Sequence, residues 1–380
     1  MKTYLASMCV LTALLAGNCI AQAETTSQQT QPATHQDLTY YLGLDRARIP
    51  VKTPADWAHR REQILAGMQE AMGPLRRPQS PVPLNVKVLE EHEEDGYIRR
   101  KLAYHTDSPK QPITAWLLLP LPPGEGRGES ALNSSTTSAR RTKHPAVLCL
   151  HPTNPNGKDQ PAGLIGDSSR YYAKELAQRG YVTLSPDYPS FGDATKYDFD
   201  ADDYVSGTMK AIYDNIRSID LLQSLPEVDP NRIGCIGHSL GGHNTLFTAV
   251  FDQRIKAAVT SCGFTTFHKY YGGNLTGWTS SRYMPLIKTK YNLAPDQVPF
   301  DFPEVIAAIA PRAVFASAPL HDHNFDIDGV REVITAVRPI YKLLGAEGNL
   351  QAVHPNCAHD FPDAERNQAY EFLDRFLRPL

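Results

Sequence analysis

The residues best suited to chemistry lie in Gly237-His238-Ser239-Leu240-Gly241, which joins the apolar run Ile233–Ile236 to a helical pattern. A serine between glycines at minus two and plus two, at a strand-to-helix junction, predicts a nucleophile elbow. The sharp turn lifts the hydroxyl clear of the sheet, and the glycines remove side chains that would clash in it. A serine hydroxyl is a poor nucleophile at neutral pH, so it needs a base within hydrogen-bond reach and an acid to orient that base. In elbow-type folds the chain order is serine, acid, histidine. His359, in Cys357-Ala358-His359-Asp360-Phe361 before a final amphipathic pattern, stands where the base should; His354 is its rival and reads as a structural loop residue. Asp322, a few residues past the run Ala313–Ala316, is the expected acid, with Asp326 as the alternative if it does not cap the next helix.

Charge that develops on an ester carbonyl needs fixed donors. The backbone N–H of Leu240 is one candidate. The other comes from the loop His151-Pro152-Thr153, where proline has no N–H, so Thr153 is favoured over His151. His151, Tyr188, Phe191, His238 and Trp278 are the expected substrate contacts. Such chemistry calls for no cofactor, and no Cys/His spacing has the form of a zinc site.

The elements that must hold these residues alternate. Strand patterns at 86–90, 98–104 and 113–119 precede a strand at 146–150, a helix at 169–179, a strand at 181–185, a long helix at 204–225, a turn at Asp229–Arg232 and the elbow strand. Strands at 255–260 and 313–316 and a helix at 362–377 follow. This order predicts an α/β fold: a mostly parallel central sheet with helices on both faces. Ahead of it, Thr53 caps a helix running from Pro54 to about Met72, an N-terminal helical extension in which Trp57, Ile64, Met68 and Met72 form an apolar stripe. The expected organisation is a signal peptide at 1–23, a polar segment and helix at 24–84, and a catalytic domain at 85–380. Within that domain, 122–144 reads as a flexible Gly/Ser/Thr/Arg-rich insertion. Residues 262–300 read as a lid-like insertion crowded with Phe264, Phe267, Tyr270, Tyr271, Trp278 and Tyr283.

Lys2, the apolar run Leu5–Leu15 and Ala21-Gln22-Ala23 have the form of a secretory leader, which implies a periplasmic or secreted protein. No apolar run reaches the ~20 residues a membrane span needs. Removing the leader takes the formal charge from −3 to −4 and leaves four of six cysteines. With no extended basic cluster there is no electrostatic footprint for nucleic acid, and a small neutral or weakly charged substrate suits better. Oligomeric state is open. Export would permit a bridge between Cys262 and Cys357, a pairing the sequence leaves open.

With Asp229-Pro230-Asn231-Arg232-Ile233 leading into the elbow, Pro319-Leu320-His321-Asp322, and Cys357-Ala358-His359-Asp360-Phe361, the chain from Val86 to Leu380 resembles the α/β-hydrolase superfamily. Within it the likeness is to dienelactone hydrolase-like and acetyl xylan esterase-like groups. The resemblance implies Ser239 as nucleophile, Asp322 as acid and His359 as base. Dienelactone hydrolases themselves use cysteine, so the serine argues against that activity; related secreted esterases imply a carbohydrate ester. Two alternatives stand beside this: a peptidase akin to prolyl oligopeptidases, which share the Asp-Pro-Asn-Arg lead but have a propeller this chain has no room for, and a non-catalytic binding protein on the same fold.

Overall fold

The computed structural model describes residues 35–76, 80–107, 111–121 and 143–378. The expected leader and all but the last two residues of the 122–144 insertion lie outside them. In chain order the described residues form β1 (Tyr40–Leu42), β2 (Arg48–Pro50), α1 (Pro54–Met72), β3 (Lys87–Glu94), β4 (Tyr97–Tyr104), β5 (Ile113–Pro120) and β6 (His144–Leu150). Next come α2 (Tyr172–Gln178), β7 (Val182–Pro186), α3 (Gly207–Ser224), β8 (Val228–His238), α4 (Leu240–Phe251) and β9 (Ile255–Ser261). The chain continues with α5 (Leu286–Thr289), α6 (Phe302–Ile309), β10 (Ala313–Ser317), α7 (Ile327–Leu343), β11 (Leu350–Val353) and α8 (Asp363–Leu377).

Nine strands form one sheet in the order β11-β10-β9-β8-β6-β7-β5-β4-β3. The six from β11 to β7 are parallel, and β5, β4 and β3 extend the sheet antiparallel. Successive side chains of a strand face opposite sides, which sorts the core into two layers. Ala146, Leu148 and Leu150 face one way, into the large cluster built with Met209 of α3, Leu246 of α4 and Val337 of α7. Val147 and Cys149 face the other, toward Leu176 of α2 and Tyr370 of α8. Strands buried on both faces read as continuous apolar runs, which is why the central strands were legible.

Local chemistry sets the helix ends. Thr53 caps α1 as a capping box: its hydroxyl accepts from the Asp56 N–H at 3.2 Å and the Asp56 carboxylate accepts from the Thr53 N–H at 2.9 Å. Gly67 lets α1 lie on the chain at Pro299, whose carbonyl oxygen would be 2.2 Å from a Cβ there. Arg60 of α1 pairs with Glu304 of α6 at 2.6 Å, tying the extension to the domain. No helix among the described residues is long and apolar enough to cross a membrane.

Three local expectations are corrected, and one element is new. Asp229–Arg232 is not a free turn but a bulge inside β8, where the pairing jumps from His144↔Val228 to Ala146↔Ile233. Its turn chemistry survives, because Asp229 accepts the N–H of Asn231 at 3.0 Å. The strand following the insertion starts at His144, inside the expected 122–144 range. The helix expected at 169–179 is a 3-10 turn at Ser168–Arg170 followed by α2. The β1/β2 hairpin, turning at Arg46 with φ 62°, was not anticipated, since three-residue strands leave too little alternation to detect.

Candidate active site

Ser239 sits between β8 and α4 with φ 56° and ψ −116°, a left-handed conformation costly for a non-glycine residue. Its N–H donates to the Ser261 carbonyl of β9 at 2.8 Å, which fixes the turn against the next strand. Both flanking glycines are sterically required. A Cβ on Gly237 would lie 2.2 Å from the Gly241 oxygen, and one on Gly241 would lie 2.0 Å from the Leu150 oxygen. Leu240 is the first residue of α4, so its N–H has no acceptor within the helix and lies at the positive end of the helix dipole. Thr153, in the loop after β6, lines the same cavity as Ser239 and Leu240.

The acid and base loops leave β10 and β11 side by side and are joined by backbone bonds: Leu320 N–H to the Pro355 carbonyl at 2.9 Å and His321 N–H to the Cys357 carbonyl at 3.1 Å. His359 Nδ1–H donates to Asp322 Oδ2 at 2.8 Å. The buried carboxylate is held from behind, its Oδ1 accepting the N–H groups of Asn324 at 2.8 Å and Phe325 at 3.2 Å. Protonation of Nδ1 leaves Nε2 of a neutral His359 free to accept a proton. The ring meets that of His238, the residue before Ser239, edge-on at 4.8 Å between centroids. Asp326 instead caps α7, accepting from Asp328 N–H at 2.9 Å and Gly329 N–H at 3.2 Å. His354 donates to the Ala318 carbonyl at 3.1 Å. The geometry therefore joins Asp322, and not Asp326, to His359.

Four of the five expected substrate contacts do not line this cavity. His151 is buried, donating from Nδ1 to the Pro152 carbonyl at 2.7 Å and accepting the Tyr188 N–H on Nε2 at 3.0 Å. Tyr188 and Phe191 pack edge-on around it at 6.4 and 5.5 Å. His151 and Tyr188 border a separate void of about 10 Å³ beneath the elbow. His238 is sealed as well and shares a hydrogen bond with the Ser261 hydroxyl at 3.0 Å. Burial holds His238 far below its ordinary pKa, with Arg170 and His359 pushing the same way, and burial likewise lowers His151. These side chains form the floor. Of the expected contacts Trp278 alone is at the cavity, a space of about 100 Å³ shared with Thr153, Ser239, Leu240, His243, Tyr270, Gly277, Tyr283, Asn324 and Phe325.

Sequence reasoning missed His243 and Arg170. His243 lies one helical turn after Ser239, the spacing that puts two side chains on one helix face, and that was the available signal. It is buried, neither ring nitrogen has a partner among the described residues, and its ring lies 4.8 Å from that of Trp278. Burial pushes its pKa down to about 3, so the imidazole is neutral at any working pH. Arg170 donates from Nη2 to the His359 carbonyl at 3.0 Å and from Nη1 to the Asp360 carboxylate, which also accepts from the Ser169 hydroxyl at 2.8 Å. It thus clamps the base loop, and no local pattern marks it. Cys262 and Cys357 are free thiols. Among the described residues, Cys262, Asp322 and His359 are a group with metal-ligating atoms all within 4.8 Å. Within that group His359 Nδ1 and Asp322 Oδ2 are bonded to each other.

The family described as "Glucuronyl esterase, fungi" matches residues 197–345. The "Putative hydrolase YtaP" of Bacillus subtilis (strain 168) is 27% identical over 213 residues, 54% of this chain and 68% of that protein. Among solved structures, the "Glucuronoyl Esterase from Solibacter usitatus" aligns with a TM-score of 0.67 at 19% identity, covering 90% of this chain and 97% of its own. The "putative acetyl xylan esterase" of Bacteroides fragilis aligns with a TM-score of 0.56 at 20% identity, covering 80% and 76%. The likeness to these solved structures shows an α/β-hydrolase fold.

Proposed function

We propose that the chain is an exported serine esterase whose substrates are esters of carbohydrates, cleaved by Ser239, His359 and Asp322. The carrying observation is the Asp322–His359 pair at 2.8 Å, set against the residue that precedes an elbow serine. In this reading His359 Nε2 takes the Ser239 proton as Oγ attacks the ester carbonyl. The oxyanion rests on the N–H groups of Leu240 and Thr153, a kind of donor whose loss costs ~3 kcal/mol each. Collapse expels the alcohol, which receives the proton from His359; water, deprotonated by the same imidazole, then releases the acid.

The cavity supports an uncharged acyl group. Among the described residues no Asp, Glu, Lys or Arg lines it, and the His243 imidazole there is neutral. That favours acetyl esters, a substrate in keeping with the acetyl xylan esterase likeness. A glucuronoyl ester is the second reading, favoured by the match over residues 197–345. Purified protein should hydrolyse 4-nitrophenyl acetate, and Ser239→Ala should lose on the order of 10⁶ in turnover. Equal rates in the two proteins would end the proposal. Acetylated xylo-oligosaccharide, methyl glucuronate and a peptide amide, run side by side, then rank the substrate readings. Export rests on Met1–Ala23, and protein recovered from the periplasm or medium should begin at Glu24.

A further inference from the structure

The aromatic insertion contains one ring for which the chemistry above has no use. Tyr271 lies in the turn Tyr270–Gly273 with φ 45° and ψ 41°, and Gly272 and Gly273 continue at φ 67° and 91°. A bulky residue is disfavoured in the left-handed region, and departures from that rule collect at ligand sites. The turn already has two glycines that adopt it freely, so the tyrosine is not there to make the bend. The residue is also 54% exposed although its ring is large.

The exposed ring is nonetheless anchored. Its hydroxyl donates to Asn324 Oδ1 in the acid loop, and its edge meets the Tyr270 ring at 4.9 Å and 89°. Both of those partners line the cavity that holds Ser239. Tyr270 is placed in turn by Gly277, where a Cβ would be 2.3 Å from the Tyr270 hydroxyl. Tyr271 therefore stands at the mouth of the cleft, tied to the lid on one side and to the acid loop on the other, with over half its surface open.

We propose that Tyr271 is the platform of a sugar subsite at the cleft mouth, on which a pyranose ring stacks while the Asn324 amide donates to one of its hydroxyls. The C–H face of a pyranose is apolar and matches an aromatic face, whereas its rim of hydroxyls needs donors and acceptors nearby. Asn324 Oδ1 is taken by Tyr271, which leaves the Nδ2 hydrogens for a ligand. A ring already held at hydroxyl and edge loses little freedom on binding, so the contact is preorganised. An aromatic alcohol could also stack on the ring and offer an oxygen to the amide, so the titration includes one as the competing outcome. The subsite deepens the esterase reading, because it puts the carbohydrate outside the small cavity that takes the acyl group.

Calorimetric titration of the full chain with xylotetraose, mannotetraose and galactotetraose tests it without any bond being cleaved. At least one should bind, Tyr271→Ala should weaken that binding tenfold or more, Tyr271→Phe should keep most of it, and Asn324→Ala should weaken it about threefold. Unfolding midpoints of the variants report whether the fold is kept. The proposal is overturned if none of the sugars binds, if Tyr271→Ala binds as wild type does, or if coniferyl alcohol alone shows the dependence on Tyr271. Protein that binds sugar through Tyr271 yet leaves 4-nitrophenyl acetate intact would sink the esterase reading while keeping the subsite.

Discussion

Imidazoles stand on both sides of Ser239, and the protein treats them in opposite ways. His151, His238 and His243 are buried and held neutral by loss of solvation. His359 instead keeps 27% of its side chain exposed and bonds a buried carboxylate. A general base must hold a proton for part of each turnover, which desolvation forbids and a neighbouring carboxylate favours. Residue type is the same in all four; access to water and the presence of Asp322 set His359 apart.

The strongest way to break this contrast is to remove the carboxylate's charge. In Asp322→Asn the amide can still accept the N–H groups of Asn324 and Phe325 through its oxygen, so the loop should stand. Its NH₂ then faces His359 Nδ1 and selects the wrong tautomer, and kcat should fall by ~10⁴. Turnover of 4-nitrophenyl acetate by Asp322→Asn and Asp326→Asn gives the comparison. A loss under tenfold at 322, or an equal loss at 326, would mean that the pairing of Asp322 with His359 does not set the base.

A smaller effect is expected where the base is positioned and not charged. Arg170 holds the His359 carbonyl and the Asp360 carboxylate together, and a misplacement of ~1 Å can cost on the order of 10²-fold in rate. Arg170→Ala should lower kcat by about 10- to 100-fold with KM nearly unchanged. Arg170→Lys should recover only part of this, since an ammonium cannot make the forked contact. An equal loss in KM would place Arg170 at the substrate instead.

Much of this was legible because it is local. The elbow needs Gly237 and Gly241 within five residues, and the acid and base lie on loops that directly follow apolar strands, so chain order alone ranked Asp322 and His359. Asp326 stayed open as the alternative acid, because whether it caps α7 shows only in the bonds it accepts from Asp328 and Gly329. The expectations for His151, Tyr188 and Phe191 failed on direction. A position just past a strand end is near the site, but whether its side chain rises into the cleft or turns under the elbow depends on distant partners. Here Lys158 reaches Asp187 at 2.6 Å and draws that loop down, and His151 accepts the Tyr188 N–H. Arg170 was invisible because its partners lie about 190 residues away. His243 was hidden by its setting, the polar stretch His243-Asn244-Thr245 inside an otherwise apolar helix, in which no one side chain stands out.

The finest test of the contrast is thermodynamic. His243 titrates at about 3 in the fold against 6.5 for the free side chain. Between those values the unfolded chain binds a proton that the folded one refuses, so stability rises with pH through this window and is lost as pH falls below about 6.5. One such group contributes a slope of up to ~1.4 kcal/mol per pH unit. His151 and His238 add slopes of the same sign, while His35, whose pKa is raised by Glu304 despite its burial, opposes them. The informative quantity is therefore the difference between wild type and His243→Gln. The variant's packing loss shifts its curve by a constant, whereas removing the titration flattens the slope between about pH 6 and 4. Urea unfolding at pH 7, 6, 5 and 4 measures both. Parallel curves would show that His243 takes up its proton in the folded state as readily as in the unfolded one, and the distinction between floor and rim would then have to rest on hydrogen bonding alone.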